Sequence, residues 1–365
     1  MMETDLLKLV KTPSADGIGQ YYLYPEYAGN LGRYSGGESR PLAGKTSRKT
    51  CVIYPSDGSG PYVAKKERQM DEHRAEAETK FPEQFPQGGN MSLRDISITR
   101  ALSKLAQYED DKIRIAVEKP LGYFEDNEGQ RTAFYEFQPG LDNKPQKPEA
   151  LKTLLESVQK GWKDEVDFLN SDFLEKVEHL TGHALTYNAR MGDPMWSLYK
   201  NHLLRLGETK RSVEARKQVA EDAHFPYLFA KMVMLANGVA HNEMADEYAH
   251  LLTPDGKLTT FITDFELSVI QIQEHVEYLL DLQLWYLASG VGDFTDFNNM
   301  RSLQATERRS GFLNNVGDTS PELARRIENF LRPTGYFDGK MERFGPAYEI
   351  LNALSSMPAE EFLIK

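Results

Sequence analysis

The sequence has little cysteine, no long apolar run and no excess of positive charge. Cys51 is the only cysteine among the 365 residues, so an intrachain disulfide is excluded. No apolar segment reaches the roughly 20 residues that a membrane-spanning helix needs, and the first residues do not have the pattern of a cleavable signal. The formal net charge of −12 is unfavourable for binding phosphate backbones, which reward clustered Lys and Arg. We therefore expect a cytoplasmic protein that binds neither membranes nor nucleic acid.

The stretch from Gly238 to Ser268 carries the clearest functional pattern. An apolar helical pattern ends at Gly238, which is placed to cap that helix in a left-handed conformation. A polar loop follows, and two predicted strands, residues 250–252 and 258–262, flank a Pro-Asp-Gly turn. Asp264 stands directly beyond the second strand, where a carboxylate is suited to hold a divalent cation against phosphate oxygens. We interpret this segment as a catalytic loop followed by an acidic turn.

With His241-Asn242-Glu243 in its loop and Asp264-Phe265-Glu266 beyond its second strand, this segment resembles the catalytic core of the protein-kinase-like phosphotransferases, a superfamily that includes aminoglycoside and choline kinases. His241-Asn242-Glu243 stands at the place of its His-x-Asp catalytic loop. Asp264-Phe265-Glu266 stands at the place of its Asp-Phe-Gly, which is often Asp-Phe-Glu in the small-molecule kinases. The resemblance implies ATP and Mg²⁺ as cofactors, with Asp264 binding the metal and His241 bracing the loop.

The predicted catalytic loop departs from the superfamily pattern at two positions. Glu243 replaces the catalytic aspartate, and Tyr248 replaces the metal-binding asparagine. The resemblance then implies that Glu243 or Asp246 orients the phosphoryl acceptor. A substitute metal ligand or base is to be sought among His250, Glu247 and Asp246, and the sequence does not choose among them.

A phosphate-binding lysine is expected in the strand predicted over residues 62–66. Strand alternation puts Ala64 and Lys66 on one face, which matches the Ala-x-Lys of the superfamily's third strand, where the small residue faces adenine and the lysine pairs with phosphates. We therefore predict Lys66 as this lysine, with Lys65 as the fallback. The alternative is a solvated lysine on an edge strand.

The preceding loop has only Gly44 and Ser47 near the position of a glycine-rich phosphate loop. The resemblance assigns both to nucleotide binding. The tripeptide that begins at Gly44 does not complete a P-loop, because Ser39 stands where that motif requires glycine.

The helix predicted from Ser92 to about Gln107 matches the helix whose glutamate pairs with the strand lysine in the superfamily. Ile98 stands at about the position of that glutamate, and Asp95 is the nearest acid. The charged insertion before the helix, residues 67–90, contains two further candidates for the acid that pairs with the lysine, Glu76 and Glu78.

A hinge for the adenine edge is expected after the strands predicted over residues 113–117, 119–124 and 131–138, which complete a small sheet. Tyr135 matches the large residue that guards the pocket. Glu136 and Gln138 match positions whose backbone groups hold adenine, and a plain strand-to-linker junction is the alternative.

We expect an α+β, protein-kinase-like fold of two lobes. Residues 1–41 form an N-terminal extension, residues 42–140 a small β-rich nucleotide-binding lobe, and residues 141–365 a helical large lobe with an insertion at about 150–220. The leading function is ATP-dependent phosphoryl transfer to a small-molecule or protein acceptor that the sequence does not identify.

Two other functions fit the same fold. A pseudokinase that serves as a protein-binding scaffold accounts for Tyr248, Ile98 and the poor phosphate loop. Another chemistry that uses the ATP cleft, such as nucleotidyl transfer, is the third possibility.

Overall fold

The computed structural model describes residues 4–34, 36–41, 50–111, 113–138, 225–241, 248–252, 258–291, 303–319 and 321–355. The protein is of mixed α+β class, as predicted, with a large antiparallel sheet and several helices. Within these ranges, no helix is both long and apolar enough to cross a membrane.

The strands and helices follow one another along the whole described chain. The strands are β1 (Val10–Pro13), β2 (Gly19–Leu23), β3 (Gly37–Pro41), β4 (Thr50–Pro55), β5 (Tyr62–Lys66), β6 (Tyr108–Glu109), β7 (Ile113–Val117), β8 (Pro120–Asp126), β9 (Arg131–Glu136), β10 (Val239–Ala240), β11 (Tyr248–Leu252), β12 (Leu258–Ile262) and β13 (Val269–Ile270). The helices are α1 (Glu72–Lys80), α2 (Met91–Leu105), α3 (Phe225–Ala236), α4 (Gln273–Val291), α5 (Ala305–Thr319), α6 (Pro321–Leu331) and α7 (Tyr348–Ser355).

The large sheet has seven antiparallel strands in the order β1-β2-β8-β9-β5-β4-β3. Residues before position 42 supply three of these strands, so the predicted N-terminal extension is part of the sheet. Helix α2 packs against β8 and β9. We call the face that carries α2 the inner face and the opposite face the outer face. Because side chains alternate along a strand, Val63 joins the core around α2, whereas Ala64 belongs to a separate apolar cluster on the outer face.

Strand β7 lies in a different sheet from the one predicted for it. It is not part of the seven-stranded sheet but pairs in parallel with β12, in a four-stranded sheet of order β11-β12-β7-β6. The N–H of Glu118 donates to the Ile262 carbonyl at 3.0 Å and extends this pairing by one residue. The carboxyl ends of parallel strands meet at the same edge of a sheet. The residues that follow β7 and β12 are therefore neighbours.

The helical part packs around α4. Gly238 ends α3 with a φ of +80°, the left-handed cap that the sequence predicts. On α4, Asp281 is buried and accepts hydrogen bonds from Arg309 Nε at 2.6 Å and from the Tyr336 hydroxyl at 2.7 Å. Arg308 donates to its other oxygen. These bonds tie α4 to α5 and to the short 3-10 helix Tyr336–Asp338.

Candidate functional site

Glu118 and Asp264 meet at the end of the parallel strand pair. Glu118 directly follows β7, and Asp264 lies two residues beyond β12. The backbone N–H of Asp264 donates to Glu118 Oε1 at 2.6 Å. Both side chains are buried, with 3% of Glu118 and 5% of Asp264 exposed, so water does not screen charges here as it does at a surface.

Lys65 is the lysine that reaches this carboxylate. Its ammonium donates to both oxygens of Glu118 at 2.9 Å and lies 4.5 Å from the centre of the Tyr135 ring. Lys65 is 7% exposed. The ion pair is therefore enclosed between β5, β9 and the acidic turn.

Lys66, the predicted phosphate-binding lysine, lies on the other face. The prediction that Ala64 and Lys66 share a face is correct, since both line a pocket of the outer face. That face, however, is the one without α2 and the acidic turn. Alternation along β5 carries Lys65, and not Lys66, to the inner face, where Glu118 and the acidic turn lie.

Asp95 links helix α2 to the acidic turn. It is fully buried and accepts hydrogen bonds from the Tyr135 hydroxyl and, at 3.2 Å, from the backbone N–H of Phe265. Ile98 lies in the apolar core. Among the described residues, Glu118 is thus the carboxylate that pairs with Lys65. Asp95, the acid of α2, instead binds Tyr135 and the acidic turn.

The sequence did not point to Glu118 as the partner of the strand lysine. It left the choice open among Asp95, Glu76 and Glu78. An acid directly after the strand IRIAV was the only signal for Glu118, and that signal is weak without knowledge of the β7–β12 pairing. Glu76 and Glu78 form ion pairs within α1, with Lys80 at 2.7 Å and with Arg74 at 3.1 Å respectively.

The acidic turn is held in an uncommon conformation. Asp264 has a φ of +61°, the only positive value among the described non-glycine residues. Such a conformation costs about 1–3 kcal/mol unless its surroundings impose it. Glu266 is fully buried and accepts from Arg68 Nε at 3.0 Å, while Arg94 donates to the carbonyls of Glu266 and Ser268 at 3.2 and 2.5 Å. Burial lowers the pKa of the Arg94 guanidinium to about 9. These contacts anchor the turn on both sides of Asp264.

His241, at the start of the predicted catalytic loop, contacts the same turn. Its Nε2 lies 2.8 Å from the carbonyl oxygen of Thr263, and its ring packs edge-on against Phe265 at 4.7 Å between centres. Strands β10 and β13 pair antiparallel, with Ala240 opposite Val269. The chain directly before the predicted loop is thereby fixed to the chain directly after the acidic turn.

The remaining predicted site residues lie at or after the end of β9, in β11, or outside the ranges that the structure describes. Glu136 ends β9, where its N–H donates to the Lys119 carbonyl at 2.8 Å, and Gln138 follows it, half-buried. In β11 only the backbone of His250 is described, and it pairs with Thr260. The predicted residues outside the described ranges are Gly44, Ser47, Glu243, Asp246 and Glu247. Among the described residues, no group of three or more His, Cys, Asp and Glu side chains is arranged to hold a metal ion.

Comparisons of the chain with protein-family models, curated proteins and solved structures found no match.

The pKa of Glu118 provides a test of this geometry in solution. Burial is the main cause that raises this pKa from 4.5 to about 7; the charge of Lys65 acts in the opposite direction, and the negative charge of Asp95 acts with burial. Glu118 therefore binds more protons in the folded protein than in the unfolded chain between about pH 4.5 and 7. We expect the contribution of Glu118 to the free energy of unfolding to fall as the pH rises through this window.

Urea unfolding of the wild type and of Glu118→Gln at a series of pH values measures this contribution as the difference between the two proteins. The wild type should lose stability relative to the variant up to about pH 7 and no further above it. A difference that stays constant across the window would contradict the enclosed position of Glu118.

Proposed function

We propose that the chain has a protein-kinase-like fold and transfers a phosphoryl group from ATP, with the nucleotide on the inner side of the seven-stranded sheet. The observation that carries the proposal is the contact between Lys65, Glu118 and the backbone of Asp264. It joins a strand lysine to the acidic turn through one carboxylate. Phosphoryl transfer requires a fixed cation and a metal-binding carboxylate, because charge spreads over the phosphate oxygens in the transition state.

The order of the elements supports the same reading. The lysine strand β5 is followed by helix α2, then by β8 and β9, which lead to the predicted hinge. After α3 come the loop that begins at His241, the β11–β12 hairpin and the acidic turn. This is the order that the sequence resemblance implies, and the β10–β13 pairing brings the two ends of the predicted catalytic segment together.

Each residue then has a distinct task. Lys65 would neutralise phosphate charge, Glu118 would position its ammonium, and the Asp264 carboxylate would hold Mg²⁺. The metal, when bound, neutralises charge between the outer phosphates. The acceptor is a small molecule or a protein, and Glu243 or Asp246 remains the proposed group that orients it.

A second candidate function, a scaffold without phosphoryl transfer, is favoured by one observation. The Lys65 ammonium is occupied by both oxygens of Glu118 and lies over the Tyr135 ring. A lysine that is 7% exposed has to move, or the site has to open, before a phosphate reaches it. A scaffold requires no such change.

Titration with nucleotide, followed by thermal unfolding, tests the proposal. We expect ATP to raise the unfolding temperature in a saturable way and Mg²⁺ to increase the effect, because a ligand at about 100 times its Kd stabilises a protein by about 2.7 kcal/mol. AMP with Mg²⁺ is the control, since it lacks the outer phosphates. No stabilisation by ATP at millimolar concentration would refute nucleotide binding, and saturable binding without turnover would favour the scaffold.

A further inference from the structure

A second ion pair joins the end of strand β5 to the acidic turn. Arg68 lies two residues beyond β5, and Glu266 lies two residues beyond Asp264. The backbone N–H of Arg68 donates to Glu266 Oε1 at 3.3 Å, and its Nε donates to Oε2 at 3.0 Å. Glu266 is fully buried and Arg68 is 7% exposed. One enclosed carboxylate is thus held at both oxygens by a single residue of the neighbouring segment.

Arg68 is itself fixed by the segment that connects β5 to α2. Its Nη1 donates to Asp71 at 3.1 Å, and its carbonyl accepts from Arg74 at 2.9 Å. Asp71 also caps α1, because it accepts the backbone N–H of Arg74 at 2.9 Å. Arg74 is buried and donates to the Gly89 carbonyl at 3.2 Å. The guanidinium that meets Glu266 therefore has a fixed position relative to α1.

Asp264 lies between groups that fix the chain on each side of it. Its own N–H donates to Glu118 at 2.6 Å, which fixes the N-terminal side. On the other side, Arg68 holds the side chain of Glu266, and Arg94 donates to the Glu266 carbonyl at 3.2 Å. A non-glycine residue with a φ of +61° keeps this conformation only where its surroundings impose it. The Arg68–Glu266 pair therefore supplies a constraint on the C-terminal side of Asp264.

The position of the Asp264 carboxylate matters because Mg²⁺ is exacting about its ligands. The ion takes oxygen ligands at about 2.0–2.1 Å in a near-ideal octahedron. A carboxylate that is displaced by a fraction of an ångström binds the ion more weakly. Residues that orient a metal ligand without touching the metal typically change the metal affinity by about 10–100-fold when they are removed.

We propose that Arg68 and Glu266 are positioning residues that hold the Asp264 carboxylate in the place where it binds Mg²⁺. Both oxygens of Glu266 accept hydrogen bonds from Arg68, so Glu266 acts on the metal through the backbone of the turn and not as a ligand. The inference rests on the proposed phosphotransferase function, because Asp264 is the metal ligand only in that function. A purely structural pair would stabilise the fold and leave the metal affinity of the folded protein unchanged.

Isothermal titration with AMP-PNP, an ATP analogue that is not turned over, separates the two roles. The affinity is measured once with saturating Mg²⁺ and once with EDTA, and the ratio of the two affinities is the gain that the metal contributes. Glu266→Gln removes the charge and nearly preserves the shape. We expect it to lower this gain by about tenfold, the effect typical of a residue that orients a metal ligand. The affinity in EDTA should stay within about twofold of the wild type.

Glu277→Gln on α4 is the matched control. Glu277 also accepts from one backbone N–H, that of Met341 at 3.1 Å, and from one guanidinium, that of Arg309 at 3.0 Å. Both of these partners lie outside the acidic turn, so the variant should leave the gain from Mg²⁺ unchanged. Arg68→Lys is a milder second variant. It keeps the charge and the backbone N–H but loses the planar guanidinium, and it should lower the gain less than Glu266→Gln does.

The outcomes separate the positioning role from the proposed function. If the wild type gains affinity from Mg²⁺ and Glu266→Gln gains as much, the positioning role is overturned while the proposed function stands. If Glu266→Gln does not fold, an unchanged gain in Arg68→Lys overturns the role in the same way. A wild type that binds AMP-PNP equally well in Mg²⁺ and EDTA, or not at all, refutes the metal site or nucleotide binding, and the positioning role falls with it.

Discussion

Lys65→Met is expected to weaken binding of ATP with Mg²⁺ by about a hundredfold or more, whereas Lys66→Met leaves it nearly unchanged. Removal of a buried cation that would meet phosphate oxygens costs several kcal/mol, because no solvent replaces it. Lys66 is exposed on the outer face and does not reach the inner side. The sequence predicts the reverse order of the two effects, so isothermal titration of the two variants is decisive.

A control is needed because Lys65→Met also leaves Glu118 as an unpaired buried carboxylate. Breaking a buried ion pair destabilises a protein by about 3–5 kcal/mol. The double variant Lys65→Met/Glu118→Gln removes both charges and should recover much of that stability without recovering ATP binding. Equal loss of binding in the Lys65 and Lys66 single variants would contradict the assignment of Lys65.

Asp264→Asn is expected to abolish magnesium-dependent turnover of ATP while the fold is retained. Loss of the metal-binding charge costs several kcal/mol of transition-state stabilisation, on the order of a thousandfold or more in rate. Asparagine is suited to the position, because Asp264 has a φ of +61° and asparagine adopts the left-handed region more readily than most residues. Steady-state ATP hydrolysis or transfer and the unfolding temperature together measure the two expectations.

Asp338→Asn, at an exposed aspartate that ends the short 3-10 helix Tyr336–Asp338, is the matched control and should leave turnover unchanged. If the Asp264 variant turns over ATP as fast as the wild type, Asp264 is not the metal ligand. If the wild type itself has no turnover but binds ATP, the scaffold function is favoured over phosphoryl transfer.

Local sequence patterns determined most of the described elements. Strand β5 at Tyr62–Lys66, strand β7 at Ile113–Val117 and strand β12 at Leu258–Ile262 occupy the predicted residues. The left-handed cap at Gly238 is also found as predicted. These features depend on hydrophobic periodicity, on glycine and on proline, all of which act over a few neighbouring residues. The sequence also placed Asp264 directly beyond a strand, beside Phe265 and Glu266.

Only the tertiary structure decided how the candidate site is assembled. Alternation along β5 separates Lys65 from Lys66, but it does not tell which face α2 covers, since that depends on the packing of a helix distant in sequence. Glu118 reaches Asp264 because β7 and β12 pair in parallel, and parallel pairing between distant segments has no local signal. The sequence therefore determined which chemical groups are present, and the packing of α2 and the β7–β12 pairing decided which of them meet.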